Sequence, residues 1–134
     1  MTWLSIFGIY LGYYLVNILI AEWNAVVVAD RTRKGNPKQI EHFAYFIGYC
    51  ALCAPQIWLV NWWFAGAVFC LHGSIFPVAY NLFRPDVPPF NLSKTSKAKY
   101  DRTLVKIGFK SMEIPDMAAE LISLLLFTFS LFQS

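Results

Sequence analysis

The chain has 134 residues, of which 57% are apolar, 18% aromatic and 14% charged, about half the charged share of a soluble domain. So apolar a composition excludes a water-soluble globular protein, and the length fits one domain whose solvent is lipid. The net charge of +3 would suggest nucleic acid in a soluble protein, but here the basic residues read as topology signals.

The predicted fold is an all-α polytopic membrane protein. It has four transmembrane helices in a bundle and a short amphipathic surface helix between the third and fourth. The first helix covers residues 3–28, apolar except for Asn17, Glu22 and Asn24, with Gly8 and Gly12 forming a GxxxG. That spacing permits close helix contact in lipid. No basic n-region or small-residue cleavage site precedes it, so it is expected to stay in the mature protein. Residues 29–38 form a polar loop with Arg31, Arg33, Lys34 and Lys38. Residues 42–83 then contain no Lys, Arg, Asp or Glu. One crossing takes about 20 residues, so this run is two crossings long, read as helices 39–60 and 62–83. The reversal falls at Asn61, Trp62 and Trp63, residues suited to a turn at the membrane–water interface. Pro55 and Pro77 predict bends. Residues 84–114 are a stiff connector and a basic stretch in which Tyr100, Leu104 and Ile107 share a face, a pattern for a helix lying on the membrane. The fourth helix covers 115–132.

All eleven Lys and Arg residues lie in the two loops 29–38 and 84–114. Four crossings put both loops on one side, which the positive-inside rule makes cytoplasmic. The expected location is a bacterial inner membrane, with both termini outside. Anionic lipid head groups at the cytoplasmic surface are the expected partners of Arg31, Arg33, Lys97, Lys99, Arg102 and Lys106, at about 1 kcal/mol per charge. Nucleic acid is not expected, because no aromatic platform interleaves with these charges.

Ionisable groups in lipid turn inward and find partners. His72, Glu120, Glu22 and Asp116 are the candidates for an ion or proton site. Asn24, Asp30, Glu41, His42 and Asn81 form a polar cluster near the cytoplasmic face. Asp116 and Glu120 share a face at i, i+4, continued by Ser123, Phe127 and Ser130. The expectation is that Glu120 faces the first and third helices. The structural alternative is pairing of Glu22, Glu41 and Asp116 with loop cations or a helix N-terminus. No HExxH motif or second CxxC is present, and no cofactor is assigned.

Cys50 and Cys53 form a CxxC inside the second helix, with Cys70 in the third. The motif resembles that of the disulfide-generating membrane oxidoreductases. It lies near mid-membrane here, where desolvation disfavours the reactive thiolate, and reduced, packed cysteines are expected. Residues 76–84, 89–96 and 100–102 resemble a segment of an uncharacterised group of small polytopic membrane proteins of bacteria and their phages. This resemblance implies a prokaryotic or phage setting and a joint role for Asn81, Arg84, Asp101 and Arg102.

Two function classes follow. One is a non-enzymatic bundle that forms a homo-oligomer or binds a membrane partner, with an intramembrane proton or ion site. The other is a membrane-embedded enzyme acting on lipid or isoprenoid-phosphate head groups at the cytoplasmic face. That enzyme would use Glu22, Asp30, Glu41, His42, Asp116 and Glu120 as metal ligands or acid–base groups, with the basic loops clamping phosphate.

Overall fold

A computed structural model of the chain describes residues 1–34, 42–84, 87–92 and 99–134, without the side chains of 31–32, 42–44 and 99–100. Among these residues every regular element is an α-helix. Glu41 and Lys97 lie outside the described residues, as do the side chains of Arg31, His42 and Lys99.

Helix α1 spans Trp3–Arg33, past the predicted end at 28. Its last turn is extended by Asp30, whose carboxylate meets Arg33 at 2.9 Å and Lys34 at 2.8 Å. Such i, i+3 and i, i+4 pairs stabilise a helix end by tenths of a kcal/mol. Asp30, Arg31 and Arg33 are therefore helical rather than part of a loop.

The predicted second helix divides into α2, His42–Cys53, and α3, Gln56–Leu59. The break falls at Ala54 and Pro55, because proline lacks the N–H for the preceding turn and its ring crowds the carbonyl four residues back. Helix α4 spans Trp62–Leu82 and contains Pro77 without ending there. Helix α5 spans Lys99–Ile107 and α6 spans Glu113–Phe132. Three of these, over Trp3–Asp30, Trp62–Leu82 and Glu113–Phe132, are long and apolar enough to cross a membrane, whereas the apolar stretch Tyr45–Leu59 is shorter.

Hydrogen bonds fix the helix directions. Asn61, at the start of α4, donates to the Ser130 carbonyl near the end of α6 at 3.0 Å. Ser74 further along α4 meets Glu120 nearer the start of α6. These two helices are thus antiparallel, and they approach closely where Gly73 faces Ala119 and Gly66 faces Leu126. Tyr10 and Tyr14 of α1 meet Ser123 and Glu120 in that order, so α1 is also antiparallel to α6 and runs the same way as α4. Tyr13 and Asn17 of α1 meet Leu52 and Tyr49, so α2 runs back along α1. Ile6, Tyr10, Tyr49, Phe64, Val68, Leu71 and Phe127 fill the core.

At the end where α4 stops and α6 starts, Leu92, Leu104 and Met112 form a second small core with Val105 and Phe109. Gly108, at φ 110°, ends α5. Its N–H meets the Val105 carbonyl and the Phe109 N–H meets that of Leu104, a left-handed cap that turns Phe109 back onto Leu104. On α5 Leu104 is buried and Ile107 is 67% exposed.

Candidate functional site

The interior between α1, α4 and α6 carries a row of polar side chains. Asn17, Asn24, Ser123 and Ser130 are fully buried, and Ser74 and Asp116 nearly so. Each polar atom there needs a partner, because no water is available to supply one. Tyr10 and Ser123 hydroxyls lie 2.6 Å apart, and Ser123 donates to the Ala67 carbonyl at 2.7 Å. Glu120 receives Tyr14 Oη on one carboxylate oxygen and Ser74 Oγ on the other, at 2.7 Å. Asn17 donates to the Tyr13 carbonyl at 2.8 Å and to Tyr49 Oη at 3.0 Å. Tyr49 in turn donates to the Val68 carbonyl. Asn17 Oδ1 lies 2.7 Å from His72 Nδ1, so that nitrogen is assigned the proton. The imidazole stacks between Tyr49 and Phe76, with ring centroids at 4.6 and 4.9 Å.

The four candidates for an ion or proton site therefore separate. Glu120 and Asp116 face the interior from α6, one turn apart. His72 belongs to a neighbouring group with Asn17 and Tyr49. Glu22 corrects the expectation that it turns inward: it is exposed on the flank of α1, because the inward face is already occupied by Asn17, Ala21 and Asn24. Asp116 is 4% exposed, and among the described residues neither of its carboxylate oxygens has a hydrogen-bond partner. Asn24 is also interior, donating to the Ile20 carbonyl at 2.7 Å, with its own oxygen unpartnered.

The remaining candidates lie toward the basic end. Among the described residues Asp30 pairs with Arg33 and Lys34 of its own turn. Asn81 is buried and donates to the Pro89 carbonyl at 3.1 Å and the Asn91 carbonyl at 3.4 Å. Asn81 thus ties the connector to α4, part of the joint role the resemblance implied for Asn81, Arg84, Asp101 and Arg102. Arg84 sits over the Tyr80 ring at 5.1 Å, and Arg102 and Lys106 are exposed. Among the described residues no three His, Cys, Asp or Glu side chains gather closely enough to hold a metal. Cys50, Cys53 and Cys70 are free thiols.

Sequence reasoning missed the tyrosines. Tyr10, Tyr14 and Asn17 recur at helical spacing in α1, and the mid-helix position of the two tyrosines was the available signal, since interfacial tyrosines sit at helix ends. Comparison of the chain with protein-family models, with curated proteins and with solved structures finds no match.

Proposed function

We propose that this chain is a four-pass integral membrane protein, non-enzymatic, whose carboxyl pair Asp116 and Glu120 holds a proton or a small cation inside the bundle. The observation that carries this reading is the buried Asp116 carboxyl, with no donor to either oxygen among the described residues. An ionised carboxylate in that setting costs several kcal/mol, and a bound proton or cation removes the cost. Glu120, one turn deeper, has two hydroxyl donors and is the natural second station.

The four-pass reading is supported by helix direction. Helices α1 and α4 run the same way and each is long enough to cross, so the segment between them has to return, and α2 runs back along α1. The basic residues then share one end, which the positive-inside rule places in the cytoplasm of a bacterial cell, with exposed Arg102 and Lys106 against anionic head groups. A second copy is the proposed partner of the α1 flank at Gly8 and Gly12, which have open space beyond them.

The test is infrared difference spectroscopy of the protein in bilayers across a pH step and across a change of Na⁺ or K⁺. A carboxylic C=O band that responds to pH assigns a proton, and one that responds to the cation assigns an ion. Asp116→Asn should abolish the response while leaving the helical circular dichroism intact. Identical spectra from wild type and Asp116→Asn would overturn the reading.

A further inference from the structure

A second carboxylate stands apart from the interior row. Glu22 lies within the span Trp3–Asp30, about 12 Å along the helix from Asp30 at ~1.5 Å per residue. It is exposed, with no hydrogen bond or ion pair to a described residue. It opens onto a cleft of about 530 Å³ lined by Leu19, Ile20, Glu22, Trp23, Val26 and Tyr45. That volume falls in the range of small-molecule sites, roughly 300–1,000 Å³.

The lining sets the chemistry of the occupant. Its apolar walls require an apolar body. Among the described residues its one charged group is the Glu22 carboxylate, within an apolar span where an unpaired charge is costly, so the occupant brings a positive charge. Trp23 and Tyr45 bring aromatic rings to the lining, the side chains that favour an ammonium. A lipid anion or a neutral hydrocarbon would leave Glu22 uncompensated. The amine of a zwitterionic lipid would lie at head-group level, well outside the position of Glu22. We propose that the cleft between α1 and α2 binds a free amphiphilic molecule carrying a protonated amine. The ammonium meets Glu22, and the hydrocarbon runs along Leu19, Ile20 and Val26.

The probe is a chain-brominated octadecylamine, which quenches indole fluorescence on contact, compared with the matching brominated octadecanol. The full chain with Trp3, Trp58, Trp62 and Trp63 changed to Phe leaves Trp23 as the sole reporter in phosphatidylcholine vesicles. The same signal in the otherwise native chain follows by difference with Trp23→Phe. The amine should half-quench Trp23 at a mole fraction roughly tenfold lower than the alcohol, the effect of about 1.4 kcal/mol. Glu22→Gln should erase that preference and Glu22→Asp should keep most of it. Equal quenching by amine and alcohol overturns the proposal, as does a preference that survives Glu22→Gln. Displacement of the amine by added phosphatidylethanolamine also overturns it, assigning the cleft to a lipid head group.

Discussion

Ser123 accepts a hydrogen bond from Tyr10 and donates one to the Ala67 carbonyl, so one small hydroxyl joins all three long helices. Interhelical hydrogen bonds in bilayers average about 0.6 kcal/mol and reach about 1.7. Tyr10→Phe should therefore cost about 0.5–1.5 kcal/mol, read as reversible unfolding in mixed micelles. A cost near zero would show that stacking of the ring on Phe127, with centroids at 4.3 Å, carries the contact by itself. The stripe Asp116, Glu120, Ser123 and Ser130 was legible in the sequence, because helical spacing alone puts those residues on one face. Their partners were not legible. Whether Tyr14, Asn17 or Glu22 turns toward α6 depends on how α1 is rotated about its axis. That rotation is set by packing around Ile6, Tyr10 and Phe64, which no local spacing encodes.

Two prolines in similar apolar runs behave differently. Pro55 ends α2, whereas Pro77 lies inside α4. The difference lies in the surroundings. Pro55 and Ala54 are exposed, whereas Pro77 is half-buried in a helix braced on both sides, with Gly73 one turn back against Ala119. Tertiary packing holds one helix through its proline and leaves the other to break. Asn61 shows the same economy at a terminus. Its Oδ1 caps α4 by accepting from the Phe64 N–H at 2.9 Å, and its Nδ2 ties α4 to the Ser130 carbonyl. Asn61→Ala should lose both, at about 1–2 kcal/mol, while Asn61→Asp keeps the cap and loses only the tie. If the two variants unfold alike, the cap contributes nothing. The turn at Asn61 was readable from its residue types, but its second bond was not, since Ser130 lies far along the chain.

At the scale of the molecule, parallel α1 and α4 put the described cations Arg33, Lys34 and Arg84 at one end. Trp58, Trp62 and Trp63 sit at the other, 81%, 74% and 47% exposed, and Trp3 is 63% exposed near the first turn of α1. This polarity gives a labelling expectation. In a chain with Cys50, Cys53 and Cys70 changed to Ala, a cysteine at Thr2 or Ser134 should react with an impermeant maleimide from outside intact cells. A cysteine at Lys106 should react only after permeabilisation. Labelling of Lys106→Cys in intact cells would reverse the orientation. The distribution of Lys and Arg suggested that the ends of the first and third predicted helices share a side, and α1 and α4 do run the same way. The number of helices long enough to cross was harder to read, because the uncharged run hid the break at Pro55.

That break has a consequence for the surrounding lipid. On the four-pass reading the return pass is two helices, α2 and α3, joined at Pro55 rather than one continuous rod. A pass broken in this way accommodates a change in bilayer thickness by bending, more easily than a continuous helix. The flank of the protein at α2 and α3 would then follow the local thickness of the lipid, while α1, α4 and α6 hold the rest of the molecule to one.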